Sequence, residues 1–428
     1  MASNLFSRSL PFARADGLSW QRWLSFVPWL IVALPPLFVI GRAPADVIVI
    51  LIALTFIARQ LAQRETKPFR EPWFATATLF WLYATAVALT AENVALSFET
   101  AAAFIRFPVF ALALQYWVLR DPQVRRWCVG SLAAAVAFVA LDTVLQGVSG
   151  QSVFGNPPFN EWRLTGPFQA PVPGAFLAKT FFVVWGAGTA FALAKGGRWS
   201  LALAVVPPII VGATIALTGE RAALLTFGLA LGLVGLLVPA LRKWALSAAV
   251  VLALIAGALA SLHPRINEVV NYTLTMDVSN FWEQRYGVLF RTGFAVWWLD
   301  PVTGVGPRQF RVHCANPAFE EIDTLEWRCG NHPHNPLVEL LAETGVIGLT
   351  LVIAFTGLGL IRAGPALKRG GPLAAATTIA MLGLLVFWWP VQSTMSFWPT
   401  WNAVLYWLLF GWMLTLAAIG SEPEVTDG

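Results

Sequence analysis

Trp244-Ala-Leu-Ser-Ala-Ala-Val-Val-Leu-Ala-Leu-Ile-Ala-Gly-Ala-Leu-Ala-Ser-Leu262 runs for nineteen residues without a charge. A helix needs about 20 apolar residues to cross a ~30 Å hydrocarbon layer. The run is continuous rather than alternating, so it predicts a membrane-spanning helix and not a barrel strand. Arg242-Lys243 precede it and His263 follows it. The basic flank predicts the cytoplasmic end. The other end opens into the polar interval that holds all four histidines, His263, His313, His332 and His334.

Similar runs recur on both sides of this one. They predict twelve spans: Trp23–Gly41, Ala45–Arg59, Trp73–Ala91, Glu99–Leu119, Trp127–Val148, Gly174–Ala194, Trp199–Leu217, Ala222–Leu241, Trp244–Leu262, Leu337–Ile361, Pro372–Ser393 and Trp401–Ile419. The second is short, and is expected to pair with the first as a tight hairpin. Composition agrees: 57% hydrophobic residues and 12% charged ones, with a mean hydropathy of +0.66, exclude a soluble globule of this length. The fold class expected is an all-α polytopic membrane protein of about 12 transmembrane helices with one large loop domain. No cleavable signal peptide is expected, since the basic N-terminus leads into a full-length span.

With residues 1–22 and the tail 421–428 in the cytoplasm, the inward connections collect 17 of the 28 Lys and Arg residues, as the positive-inside rule requires. The other eleven, Arg42, Arg106, Arg163, Lys179, Arg221, Arg265, Arg285, Arg291, Arg308, Arg311 and Arg328, need another reason. Residues 23–262 then hold nine spans with an outward loop at 149–173, rich in Pro, Gly and Phe. Residues 263–336 form the large outward loop, and 337–420 the last three spans. Within that loop Val278–Trp298 reads as an amphipathic helix lying on the membrane, with Phe281, Tyr286, Phe290, Phe294 and Trp297-Trp298 at the interface. Asp300-Pro-Val-Thr-Gly304-Val-Gly306-Pro breaks it.

Cys314 and Cys329 share the outward loop, where an oxidising compartment permits a disulfide closing a loop of about 15 residues, worth on the order of 3 kcal/mol in the chain-entropy model. Two free thiols are the alternative, and Cys128 is expected to be packed within a span. Arg106, Asp142 and Lys179 fall in the outer half of three different spans. Charges there either line a polar cavity or form an ion pair, Asp142 with Arg106 or with Lys179. Glu339 and Glu343 lie on one helical face just after His334, where they serve the site or favour the helix N-terminus. The His and Cys residues match no standard zinc spacing and no glycine-rich phosphate loop occurs, so neither a metal nor another cofactor is expected.

The run His334-Asn335-Pro-Leu-Val-Glu339-Leu-Leu-Ala-Glu343-Thr-Gly345-Val-Ile-Gly348 resembles the signature of the O-antigen ligase and polymerase superfamily, in which a His-Asn pair ends a large periplasmic loop. Arg163-Leu-Thr-Gly166, Thr218-Gly-Glu-Arg221-Ala, Arg285, Trp297 and Asp300-Pro…Gly304-Val-Gly306…Phe310 follow in that superfamily's order, so the likeness spans the second two-thirds of the chain. Gly-Glu-Arg stands where many relatives have a Ser-Arg step, which leaves Arg221 in place and makes Glu220 a question.

The resemblance implies a GT-C-like, multi-pass enzyme of the bacterial inner membrane, with both termini cytoplasmic and the active site periplasmic. Its donor would be a glycan on undecaprenyl pyrophosphate and its acceptor lipid A–core. Membrane lipids would surround a monomer that binds no nucleic acid. Leaving-group charge on the pyrophosphate calls for arginine forks; Arg163, Arg221, Arg265 and Arg285 are the candidates. The attacking sugar hydroxyl needs a base, and His334 is the candidate, supported by Asn335, Glu339 and His332. His332 is expected mainly to line the loop, with His263 and His313 at the surface. The single dominant loop with clustered arginines looks more like the ligase than the polymerase, which would use a lipid-linked repeat unit as acceptor. A lipid-linked sugar transporter is the competing class; it would need charges usable from both faces and a repeated pair of halves, and neither is visible.

Overall fold

The computed structural model describes residues 17–421 apart from 162, 198–199, 201–203, 263, 265–266, 269–270, 272–274, 276–278, 391 and 393. Among them there is no strand, only an isolated bridge between Asn160 and Arg163. The bundle helices are α1 Ser19–Ile40, α2 Arg42–Gln63, α3 Pro72–Ala88, α4 Val94–Arg120, α5 Pro122–Ser149, α6 Pro173–Lys195, α7 Val206–Leu217, α8 Arg221–Leu237 and α9 Arg242–Leu262. The loop helix α10 spans Arg285–Trp297, and α11 Pro336–Arg369, α12 Gly371–Trp388 and α13 Thr400–Ser421 complete the bundle.

Nine helices among the described residues are long and apolar enough to cross a membrane. The chain is therefore a multi-pass membrane protein. The spans expected over Trp73–Ala91, Trp199–Leu217 and Ala222–Leu241 fall instead on the shorter α3, α7 and α8, of 17, 12 and 17 residues. Pro72 and a two-residue turn close off α3, and the Thr218–Glu220 connection separates α7 from α8.

Burial ranks the helices. The most apolar window of α13 is 83% buried inside the protein, while that of the α9 helix is 18% buried. A helix that is hydrophobic all round and enclosed is a core element. Accordingly α13 packs on α2, α4, α6, α11 and α12, whereas α9 touches mainly α7 and α8. Val250 and Leu254 of α9 remain largely exposed, as suits a face turned to lipid. Around α13 aromatic rings interlock: Phe355 with Trp407 at 5.4 Å and Trp73 with Phe410 at 5.3 Å. Such pairs add roughly 0.5–1.5 kcal/mol each beyond their burial.

The charges within the bundle do not form the expected ion pair. Arg106 binds Asp46, with Nε to Oδ1 at 2.9 Å. Asp142 accepts the Val153 amide, and Lys179 donates to Thr394 and Asn402. Asp46, at the other end of a 60-residue separation, gave no spacing signal that would have paired it with Arg106.

The loop helix also differs from expectation. It starts at Arg285, is 13 residues long, and packs on α11 and on the short helix Leu325–Arg328. Leu289 and Val296 join Phe310, Cys314 and Phe319 of the loop and Ala342 of α11 in a small second core. Phe290 is buried against the Phe281 ring at 5.5 Å, so this part of the apolar face meets protein, while Trp298 remains exposed.

Finally, α11 is not continuous. Gly345 takes φ 62° and ψ −170°, a left-handed backbone that favours glycine. The groups this break releases bond the loop before it: Val346 N donates to the Pro301 carbonyl at 3.1 Å, and Gly306 N donates to the Glu343 carbonyl at 2.9 Å. A Cβ on Gly345 would lie 2.2 Å from the Val302 carbonyl oxygen, and one on Gly304 would lie 2.4 Å from the Thr344 nitrogen. Two backbones thus touch where side chains would otherwise keep them apart.

Candidate functional site

Three connections and the strap 389–399 between α12 and α13 meet at the end of the bundle that carries the large loop. The 149–173 loop is set by Gln146, whose Oε1 accepts the amides of Thr165 at 2.9 Å and Gly166 at 2.8 Å. Leu164 N donates to the Thr218 carbonyl at 3.1 Å, which ties this loop to the α7–α8 connection. Arg163 and Arg221 are thereby brought to one cavity, lined also by Lys179, Glu220, Tyr286 and Thr394. The Nε of Arg163 is buried and finds no hydrogen-bond partner among the described residues. A buried guanidinium donor left unmatched beside a cavity fits an anion arriving from outside the chain.

Glu220 answers the question raised by its position. Its Oε1 accepts Gly174 N at 2.6 Å and its Oε2 accepts Ala175 N at 3.0 Å. These are unpaired amides of the first turn of α6, where a carboxylate is favoured. Burial nevertheless raises the Glu220 carboxyl to about 7, against the opposing charge of Arg163 and the two amides.

His334 stands at the rim. Its ring lies edge-on to Tyr286 at 5.4 Å and 4.1 Å from the His332 ring. The residue has φ 57°, an uncommon conformation for a side chain other than glycine. Its carbonyl accepts Thr394 N at 2.6 Å, and Thr394's own carbonyl meets His332 Nε2 at 3.1 Å. Burial, then the neighbouring His332, Arg285 and Arg163, push the His334 imidazole down to about 3. Burial likewise takes His332 down to about 4. Both rings are neutral at neutral pH and hold a lone pair able to accept a proton.

Asn335 is the N-cap of α11: its Oδ1 accepts Leu337 N at 3.0 Å and Val338 N at 3.1 Å. Its Nδ2 donates to the Pro390 carbonyl at 2.9 Å. Glu339 and Glu343 therefore do not cap the helix. Glu339 accepts Phe397 N at 2.7 Å and the Ser396 hydroxyl. Glu343 accepts Trp398 Nε1 at 2.6 Å, Arg308 N at 2.7 Å and Phe310 N at 3.0 Å. Both carboxyls are buried clamps that fasten the strap and the loop to the first turns of α11.

Other expected residues sort by contact. Arg285 is exposed at the start of α10, close enough for its charge to act on His334. Arg265 and His263 lie outside the described residues. His313 sits 3.8 Å from Glu92, away from the cavity lining. Cys314 and Cys329 are joined as a disulfide, which removes both from any set of metal ligands. Among the described residues no group of three or more His, Cys, Asp and Glu side chains could hold a metal ion. Arg328 is buried and donates to the carbonyls of Cys314 and Asp323, each at 3.0 Å, so one cation of the loop is structural. Tyr286, Thr394 and the rest of the strap were missed as site residues. The only signal was a polar run, Gln392-Ser-Thr-Met-Ser396, between Pro390 and Pro399.

The class this defines is a multi-pass helical membrane protein with an arginine-lined cavity at the end of the bundle that carries the histidine-bearing loop. Residues 207–353 match the family model for O-antigen ligase, about a third of the chain. The matched span holds Glu220, Arg221, Arg285, His332 and His334 but neither Arg163, Lys179 nor the strap. No curated protein matches the chain. The family's activity is of the glycosyltransferase type, in O-antigen and polysaccharide assembly.

Proposed function

We propose that this protein is an O-antigen ligase, which transfers O-antigen polysaccharide from undecaprenyl pyrophosphate to a sugar hydroxyl of lipid A–core at the periplasmic face of the inner membrane. The observation that carries the reading is the juxtaposition of His334 with Tyr286, which lines the same cavity as Arg163 and Arg221. The acceptor oxygen attacks the anomeric carbon while His334 takes its proton. The glycosidic C–O bond breaks and its electron pair passes to the lipid pyrophosphate. Arg163, Arg221 and Arg285 stabilise the charge that grows there, and preorganised donors of this kind are commonly a dominant catalytic term. The neutral imidazole has a lone pair free for the proton, and the negative charge of a bound diphosphate would raise the basicity that burial lowers in the free protein. Arg265 is proposed to share the pyrophosphate with these three.

The test is complementation of a ligase-deficient cell, with lipopolysaccharide displayed on a gel. Wild-type protein should restore long chains on core, and His334→Ala should lower turnover by roughly 10²–10⁴-fold. Full ligation by a correctly inserted His334→Ala protein would exclude the mechanism. Longer lipid-linked polymers in a polymerase-deficient host, with nothing attached to core, would reassign the acceptor.

A further inference from the structure

Lys179 is 3% exposed in the second turn of α6, beside the cavity, and a buried amino group is costly unless something is gained by holding it there. Its Nζ donates to Thr394 Oγ1 at 2.7 Å and to Asn402 Oδ1 at 2.6 Å, and lies 4.9 Å from the Phe387 ring. Three elements, the strap, α13 and the end of α12, therefore converge on the Lys179 Nζ of α6. The other polar groups of Thr394 face the histidines: its amide holds the His334 carbonyl at 2.6 Å and its carbonyl meets His332 Nε2 at 3.1 Å. A backbone carbonyl can only accept, so Nε2 of His332 carries the hydrogen and Nδ1 keeps the lone pair. The Thr394 amide thus bonds a residue that stands in the uncommon positive-φ conformation.

We infer that Lys179 and Thr394 are positioning residues for the histidine pair: the ammonium fixes the threonine hydroxyl, and the threonine main chain fixes the backbone of His334 and the ring of His332. The inference rests on the reading of His334 as the base. Neither residue is assigned to touch the reacting atoms. The spine passes from the bundle core to the loop, so the orientation of a loop side chain is set by a rigid element.

Thr394→Val tests it, because it removes only the hydroxyl and keeps shape, amide and carbonyl. Per molecule of inserted protein, Thr394→Val and Lys179→Met should each lower kcat on the order of 10–100-fold through ring misplacement, with KM for the lipid-linked donor little changed. Thr394→Ser, which returns the hydroxyl, should recover most of that loss. The double variant should be no worse than the poorer single one, as for two members of one unit. Wild-type kcat in Thr394→Val would overturn the inference, and so would equal impairment of Thr394→Ser and Thr394→Val. A raised donor KM at unchanged kcat in Lys179→Met would make Lys179 a substrate ligand instead. Should Lys179→Met fail to insert, the two threonine variants decide alone. An active His334→Ala removes the parent reading; an inactive one beside a fully active Thr394→Val removes only this one.

Discussion

His334 combines an uncommon backbone conformation, a neutral ring and cationic neighbours. Its imidazole is pushed far below the ordinary histidine range near 6.5, first by burial and then by the neighbouring His332, Arg285 and Arg163, which oppose a positive charge there. In the free protein the proposed base is thus unprotonated from pH 8 down to about 5, and kcat/KM should show no acid limb near 6.5. A diphosphate donor brings negative charge that favours the imidazolium, so the acid limb of kcat should lie above that of kcat/KM. Initial rates of donor consumption between pH 5 and 8 measure both. A limb near 7 that vanishes in Glu220→Gln belongs to Glu220, whose raised carboxyl takes up a proton there; a limb near 6.5 that persists in that variant would contradict the account of His334. His334 and Arg221 were legible in the sequence because each sits in a short motif or breaks the positive-inside rule. Thr394 was not, since its part is played by an amide and a carbonyl that every residue possesses.

Among the elements, the broken helix α11 does most to shape the site. The sequence Glu343-Thr-Gly345-Val-Ile reads as uninterrupted helix, for a glycine within an apolar run is tolerated at a cost of only about 1 kcal/mol. Only the partner loop, some 40 residues upstream in the chain, makes Gly345 obligatory. Gly345→Ala should therefore cost well over the ~1–2 kcal/mol of a left-handed backbone, because its Cβ also meets the Val302 carbonyl oxygen. Heating the purified protein in detergent should show a clear fall in melting temperature, with faster proteolysis at residues 300–310. Alanine at Gly357, where a Cβ would meet nothing within 4 Å, supplies the control from the same helix and should leave melting near wild type. Reduction of the Cys314–Cys329 bridge should likewise loosen the loop, by on the order of 3 kcal/mol for a separation of 15 residues. Dithiothreitol should lower the melting temperature of the wild type and leave a Cys314→Ser/Cys329→Ser variant unaffected.

For the whole molecule, hydropathy was enough to read the class and most helix positions, because lipid punishes any unpaired backbone wherever it occurs. Depth in the bundle was not readable: the run of α9 is the more apolar of the two, yet it is the exposed one while α13 is enclosed, so packing and not hydropathy decides which faces lipid. The proposed orientation has a direct check. A cysteine placed at Glu320 in the large loop should react with a membrane-impermeant maleimide in cells whose outer membrane is permeabilised, whereas one placed at Arg369 should react only after lysis. The reverse pattern would invert the topology.

The enclosure of α13 has a further consequence, in the order of biosynthesis. This helix follows every other described helix in the chain, yet it fills the middle of the bundle. During synthesis α2, α4, α6, α11 and α12 enter the bilayer before the partner they all share exists. Until it emerges, lipid or a membrane chaperone must occupy the groove it will fill, and Asn402, which α13 carries to Lys179, is missing. A ribosome stalled before Thr400 would leave a nascent chain in which Lys179 lacks its Asn402 partner.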